Sequence, residues 1–221
     1  MCHISVIVFG AKSLATKEVQ GKRVIEIGYS ATGTPRPIIE SMEPKGYIGV
    51  NLKRGPGVDV ICNAEKILKK FGKESFDLVI ATELLEHVRN WRLVISNIKN
   101  ICKPDGIILI TTRSFGYPYH PCPGDFWRYE LKDLKVIFSD CEILCLEKDN
   151  LEPGVFIKIK KTNNFQEKNL SDYKLYSIVT NKRVKDITNK DFRTFYFQHL
   201  VLKDKIKYFL TKINSYIFSK I

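Results

Sequence analysis

Short apolar runs alternate with amphipathic segments over the first two thirds of the chain. The runs predict strands, and the spacing of apolar positions between them predicts helices. Strands are predicted at 23–28, 46–51, 58–61, 76–81 and 106–112. Helices are predicted near 11–20, 35–43, 64–72, 91–103 and 130–139. Such alternation indicates an α/β domain, with a parallel sheet covered by helices on both faces.

The pattern changes after the last of these helices. Two further strands are predicted at 141–147 and 154–160, and the turn-rich link between them is short enough for an antiparallel hairpin. Residues 162–190 are polar with no clear periodicity, and helical spacing returns over 199–221. The pattern therefore predicts one domain that ends near residue 161 and a C-terminal extension.

Charge and cysteine content narrow the function classes. The net charge is +12, and residues 162–221 hold 12 basic and 5 acidic side chains, which favours either an anionic neighbour or a lysine-rich solvated face. The six cysteines form no CxxC pair, so buried free thiols are favoured over a metal site and no metal is predicted. The apolar run Ile4–Phe9 is too short for a secretory signal or a membrane span, which predicts a cytoplasmic protein.

A glycine turn directly follows the first strand. Gly28 and Gly33 can adopt backbone angles closed to other residues and let a ligand approach the chain. Thr34 can cap the next helix, with Pro35 at its first position, and a helix start beside glycines suits a carboxylate or phosphate. Glu26 adds an acceptor for an ammonium group, which favours S-adenosylmethionine over a dinucleotide.

Polar residues recur where the other predicted strands end. Asn51 follows the second strand, Asn63 the third, and Thr82 and Glu83 the fourth. In a doubly wound sheet, ligands bind beyond the carboxyl ends of the strands, so these side chains are expected to meet at one site. Acceptors at neighbouring strand tips suit the ribose hydroxyls and the adenine amine of an adenosine.

Five segments together carry a family resemblance: VIEIGYSATG, YIGVNL, VICNA, FDLVIATELLEHV and CKPDGIILITT. Their order closely resembles the class I S-adenosylmethionine-dependent methyltransferases over residues 20–161. The resemblance implies a Rossmann-like, doubly wound, seven-stranded and mostly parallel sheet over residues 1–161 that ends in the antiparallel hairpin. The basic, partly helical extension would cover 162–221. A loop that reads YHPCPGDFWR, over 119–128, is similar to that of a subgroup of the family.

The resemblance also implies site residues. Contacts to the methionine part of S-adenosylmethionine would come from Glu26, Gly28 and Gly33. Asn51 would contact the ribose, Asn63 and Ala64 the adenine, while Thr82 and Glu83 would line the methyl-transfer end.

Two positions depart from the family pattern. The family usually has an acidic residue in place of Asn51 and often Asp in place of Asn63, and an amide forms weaker hydrogen bonds than a carboxylate. These changes leave open a non-catalytic scaffold or regulatory subunit with a methyltransferase-like fold.

The segment 113–129 is the densest polar and aromatic stretch of the chain. It can form a substrate lid, in which Tyr119, Trp127 and Arg128 contact the substrate and His120 or Asp125 acts as general base. It can equally form an aromatic cap in which Asp125 and Arg128 pair. His87 lies nearer the predicted cofactor, either in catalysis or paired with a neighbouring glutamate.

The leading hypothesis is therefore an S-adenosylmethionine-dependent methyltransferase that acts on an O or N nucleophile of a small molecule or glycan. A nucleic-acid methyltransferase is the third reading after the scaffold, because no nucleic-acid-binding module is visible. The helix over 199–221 has an apolar stripe flanked by lysines. This stripe can pack on the domain, on a second subunit or on an anionic membrane surface.

Overall fold

The computed structural model describes residues 4–28, 30, 33–121 and 124–218. Seven strands form the main sheet: β1 (Arg23–Ile27), β2 (Gly46–Asn51), β3 (Val60–Ile61), β4 (Phe76–Thr82), β5 (Cys102–Arg113), β7 (Glu142–Lys148) and β8 (Gly154–Lys160). A smaller sheet contains β6 (Trp127–Arg128), β9 (Leu175–Ser177) and β10 (Lys182–Val184). The helices are α1 (Ile4–Ser13), α2 (Thr16–Val19), α3 (Arg36–Glu40), α4 (Ile67–Phe71), α5 (Trp91–Ile101), α6 (Leu131–Ile137) and α7 (Phe195–Phe218).

The order of strands in the main sheet is β3-β2-β1-β4-β5-β8-β7. Strands β1 to β5 pair in parallel, whereas β8 pairs antiparallel with both β5 and β7. The predicted α/β class, the seven-stranded sheet and the closing hairpin are confirmed. Strands β2 and β3 lie on one side of β1, whereas β4 and β5 lie on its other side, so the order of the strands switches between β1 and β4. The carboxyl ends of β1 and β4 therefore border the crevice where such sheets bind ligands.

Apolar side chains cover both faces of this sheet. On one face, Ile25, Val79 and Ile108 pack under α5, where Trp91 is fully buried. On the other face, Val24 and Ile80 pack against α1 through residues such as Phe9. Strands buried on both faces are continuous apolar runs, which explains why the pattern predicted them well.

The N-terminal helix differs from the prediction. The expected helix 11–20 is instead α1, which begins at Ile4, followed after a break by the short α2. Val6 and Phe9 are buried, so the apolar run Ile4–Phe9, which was compared above with a secretory signal, contributes to the core. The cysteines at 62, 102, 141 and 145 are free, and Cys2 and Cys122 lie outside the described residues.

The polar segment after residue 161 contributes to the core. Leu175 and Val179 are fully buried in the same apolar cluster as Trp127. The short strand β9 pairs with β6 and thereby joins the segment to the loop that follows β5. The boundary at 161/162 stays a prediction, while the packing itself predicts a shared folding unit.

We therefore expect Leu175→Ala to destabilise the whole domain. Removing a fully buried leucine costs roughly 2–3 kcal/mol in free energy of unfolding when the cavity does not collapse. Urea denaturation followed by tryptophan fluorescence would measure this, with Leu202→Ala as control because Leu202 is 53% exposed. An unchanged midpoint for Leu175→Ala would show that the extension folds apart from the sheet.

The C-terminal helix only begins against the domain. Phe197 is buried, and Leu200 and Val201 pack against the core, whereas Leu202, Ile206 and Leu210 are more than half exposed. In the described part of α7, the predicted apolar stripe does not pack on the domain beyond Val201. The side chains from 213 onward lie outside the described residues. Contact with a membrane or second subunit stays a prediction. None of the helices in the described part of the chain is both long and apolar enough to cross a membrane.

Candidate active site

A cavity of about 410 Å³ opens at the carboxyl ends of the parallel strands. Its wall contains seven of the residues predicted from sequence: Gly28, Asn51, Asn63, Ala64, Thr82, Glu83 and His120. They come from the ends of four neighbouring strands, β1 to β4, and from the loop after β5, as expected for a sheet of this type. The cavity is also lined by residues the sequence did not single out, among them Arg113 and Tyr117.

Gly28 ends β1 at the cavity wall. Its φ of +84° lies in the left-handed region, and an added Cβ would lie 3.2 Å from Cδ1 of Leu84. Gly33 also has a positive φ, +83°, and is not part of the cavity wall that the structure describes. The conformation at Gly28 keeps the backbone bare where it borders the cavity, which is the use predicted for this glycine.

Glu26 lies beneath the cavity rather than in its wall. The side chain is fully buried, and its carboxylate accepts hydrogen bonds from the hydroxyls of Thr34, Tyr47 and Thr82. Burial raises the pKa of Glu26, although these hydroxyls oppose the rise. Glu26 thus fixes the side chain of Thr82 and the start of α3, and its direct contact with a methionine ammonium stays a prediction.

The two asparagines are oriented by the backbone that follows them. Asn51 Oδ1 accepts from the Leu52 amide at 2.6 Å, and Asn63 Oδ1 caps the short 3₁₀ turn by accepting from Glu65 N at 2.9 Å. Asn97 donates to the carbonyl of Ala64 and holds that turn from beneath. Both amides therefore present fixed polar groups to the cavity.

Glu83 occupies a strained position directly after β4. Its φ is +50°, and its amide donates to the carbonyl of Thr111 at 2.9 Å. Burial and the nearby charge of Glu86 raise the pKa of Glu83 to about 7, against the pull of Arg113. A non-glycine residue in this region of φ costs energy, and such strain often marks a functional site.

Arg113 is the charged partner of Glu83 in the cavity wall. It is 2% exposed, forms an ion pair with the Glu83 carboxylate, and stacks over the ring of Tyr117 with 4.0 Å between the guanidinium carbon and the ring centroid. Sequence reasoning missed Arg113, although it stands where the fifth strand ends and the same rule found Thr82 and Glu83. The cavity therefore contains a carboxylate and a guanidinium held together by burial.

The loop after β5 forms a packed cap. Arg128 is 1% exposed and binds Asp125 through two hydrogen bonds, of which that from Nη2 measures 2.7 Å. The same guanidinium donates to the carbonyl of Pro118 at 3.0 Å. Burial raises the pKa of Asp125, but the hydrogen bonds from Arg128 and His120 outweigh it and hold that pKa below its usual range.

Four of the residues predicted for the substrate or for catalysis are therefore not in the cavity wall. Trp127 is 1% exposed, and its indole donates to the carbonyls of Val88 and Arg89, while Asp125 and Arg128 pair in the interior. Tyr119 packs against Phe197 of α7. Because Asp125 and Arg128 pair inside the loop, the geometry fits an aromatic cap better than a substrate lid. Of the residues predicted for the substrate or for catalysis, His120 lines the cavity.

The comparison with protein families agrees with this geometry. Residues 10–140, more than half of the chain, match the family described as "Methyltransferase domain". The chain belongs to this family. The class I S-adenosylmethionine-dependent methyltransferase predicted from the motifs is thereby confirmed in family and fold, with S-adenosylmethionine as cofactor. The subgroup defined by the loop motif stays a prediction.

Individual relatives are distant. The (S)-coclaurine N-methyltransferase of Papaver somniferum is 28% identical over 93 residues, which cover 41% of this chain and 26% of that protein, so the match spans about a quarter of the relative. A solved Burkholderia thailandensis 1,6-didemethyltoxoflavin-N1-methyltransferase is similar with a TM-score of 0.57 and 13% identity. That match covers 72% of this chain and 79% of the other. The solved Haemonchus contortus phosphoethanolamine N-methyltransferase 2 is similar with a TM-score of 0.52 and 15% identity. That match covers 66% of this chain and 50% of the other.

The cavity fits the cofactor of this family in size and chemistry. Its volume is within the range of roughly 300–1,000 Å³ that small-molecule sites occupy. Gly28 leaves open the space that a Cβ would fill, and Asn51 and Asn63 supply hydrogen-bonding groups at neighbouring strand ends. These residues would hold the cofactor, and Thr82, Glu83 and His120 border the remaining wall.

Proposed function

We propose that this methyltransferase transfers the methyl group to an O or N nucleophile of a small molecule or glycan. The observation that carries the proposal is that six residues predicted for the cofactor, Glu83 among them, border one cavity, which also contains Arg113 and His120. Bound S-adenosylmethionine would supply an electrophilic methyl group on its sulfonium for an acceptor lone pair, with S-adenosylhomocysteine as the leaving product.

The polar groups of the cavity suit a small polar acceptor. Glu83 has a pKa near neutral, so its carboxylate can receive the proton that an O or N nucleophile loses. Arg113 keeps that carboxylate in place, and the ring of Tyr117 covers the guanidinium. Alignment of the nucleophile supplies the rest, since methyl transfer from a sulfonium needs little beyond correct positioning.

The names of two relatives support an N or O acceptor of small size. One is named as a 1,6-didemethyltoxoflavin-N1-methyltransferase and the other as an (S)-coclaurine N-methyltransferase, so both names give methylation at nitrogen.

Calorimetric titration with S-adenosylhomocysteine tests the cofactor part of the proposal, and Asn51→Asp sharpens it. A carboxylate accepts more strongly than an amide, so we expect Asn51→Asp to bind about fivefold more tightly, equivalent to roughly 1 kcal/mol. Asn169→Asp, which adds the same charge outside the cavity, should leave the affinity unchanged. No binding at millimolar ligand by either the natural chain or Asn51→Asp would overturn the proposal.

The acceptor class is tested by incubating the chain with methyl-labelled cofactor and separate panels of amines, alcohols, sugars and oligonucleotides. Label is expected in an amine, alcohol or sugar. Transfer to oligonucleotides alone, or binding without transfer to any acceptor of the panels, would contradict the proposed function.

A further inference from the structure

Two histidines and a glutamate meet at the side of the cavity next to the loop after β5. One carboxylate oxygen of Glu86 and one ring nitrogen each of His87 and His120 lie within 4.8 Å of one another. Glu86 Oε1 is 3.8 Å from His87 Nε2, and the two imidazole rings are 4.7 Å apart between centroids. Glu86 and His87 belong to a 3₁₀ turn after β4, whereas His120 comes from the loop.

The Glu86 carboxylate is buried with one oxygen unpaired. Its side chain is 0% exposed, and Oε2 accepts a hydrogen bond from the Thr112 hydroxyl at 2.8 Å. Oε1, on the side of the histidines, has no hydrogen-bond partner among the described residues. A buried acceptor without a donor is costly, and a bound cation would satisfy it.

Each histidine is held through its other ring nitrogen. His87 Nδ1 contacts the carbonyl oxygen of Gly124, and His120 Nδ1 lies 3.0 Å from Oδ2 of Asp125. Donation from Nδ1 to these acceptors leaves the lone pair on Nε2 of each ring. Metal-binding histidines show this arrangement, with the second nitrogen donating to a carbonyl or carboxylate that fixes the ring.

We propose that Glu86, His87 and His120 bind a divalent transition-metal ion of the zinc type. Two imidazoles and one carboxylate form a ligand set that Zn²⁺ accepts while keeping a further position open. Ligand atoms around one such ion lie roughly 3.4 Å apart, so the three atoms would have to approach by at most about 1.4 Å from their present separations. Adjustment of the His120 side chain, which is 30% exposed, would supply this movement while the loop itself stays in place.

His87 and His120 both line the cavity, so an ion bound between them would border it and could take a further ligand from the cavity. This consequence rests on the proposed function: an oxygen of the acceptor placed there would lose its proton more readily beside the ion. His120 would then be a ligand instead of the general base predicted from sequence. Asp125 and Arg128 would act as positioning residues that hold the His120 ring.

Metal binding by the full chain tests the proposal without any activity assay. The protein, freed of metal by dialysis against a chelator, is titrated with Zn²⁺ in competition with a chromophoric chelator, and separately with Co²⁺ followed by visible absorption. We expect one ion per chain. His120→Ala and Glu86→Gln should weaken binding more than about 100-fold, beyond what loss of an outer partner costs.

The matched control is His199→Ala, because His199 is an exposed histidine on α7 away from the cavity. It should bind Zn²⁺ like the natural chain. Circular dichroism checks that Glu86→Gln still folds. If Glu86→Gln does not fold, His120→Ala still tests the site, because His120 is half-buried in a loop. Absence of binding at micromolar Zn²⁺, or equal binding by His120→Ala, would overturn the site. Titration with S-adenosylhomocysteine in the same samples shows separately whether the cofactor site is intact.

Discussion

Replacement of Arg128 by leucine is expected to lower the free energy of unfolding by roughly 3–5 kcal/mol, the cost of leaving a buried charge without its partner. Arg128 and Asp125 are 1% and 2% exposed, so the substitution leaves the Asp125 carboxylate buried without the guanidinium. The substitution also removes the donors to the carbonyls of Tyr117 and Pro118. Chemical denaturation with intrinsic fluorescence measures the change.

The double variant Asp125→Leu/Arg128→Leu separates charge from packing. Replacing a buried ion pair by apolar side chains is often close to neutral, so the double variant should recover much of the loss. Arg193→Leu, an exposed arginine, serves as a control and should change stability by less than about 0.5 kcal/mol. If Arg128→Leu unfolds at the same denaturant concentration as the natural chain, the pair is not what fixes the loop.

The pair bears on how the loop serves the site. A loop locked by an internal ion pair and by the indole of Trp127 forms one fixed wall of the cavity rather than a freely opening lid. His120 reaches the cavity because its backbone amide also donates to Asp125, at 2.9 Å. The aromatic and charged residues that look like substrate contacts in the sequence therefore build the support for one histidine.

The fold could be predicted from sequence because its strands are buried on both faces. Runs such as Phe76–Thr82 are apolar except for Asp77 and Thr82, and helices with one polar face separate them. By contrast, β9 and β10 have three residues each, which is too few for a period to be seen. Leu175 and Val179 look like isolated apolar residues in a polar segment until tertiary contacts bury them.

The site was predictable to the extent that topology fixes it. Asn51 and Thr82 end strands and Asn63 follows one, and the parallel sheet brings strand ends to one edge whatever the side chains are. Burial and pairing were not predictable in the same way, because they depend on which groups meet across the loop. Glu26 and Arg128 have charged side chains of the kind that contact ligands, but both bind other groups of the protein.

Gly28→Ala is the second change with a large expected effect, and we expect it to weaken S-adenosylhomocysteine binding about 100-fold. The φ of +84° imposes strain on any residue with a Cβ, and that Cβ would be 3.2 Å from Leu84, which itself lines the cavity. Relief of either contact moves the backbone where the cofactor must approach it. A 100-fold loss corresponds to roughly 2.7 kcal/mol of binding free energy.

Gly21→Ala is the matched control, since Gly21 has a φ of +69° with no atom within 4 Å of the added Cβ. Both alanines impose a similar backbone cost, about 1–2 kcal/mol of stability, but Gly21 is outside the cavity wall. Calorimetry at equal folded fraction should therefore show weakened binding for Gly28→Ala and unchanged binding for Gly21→Ala. Equal affinities for the two variants would mean that the glycine serves the turn after β1 and that the cofactor does not approach the chain there.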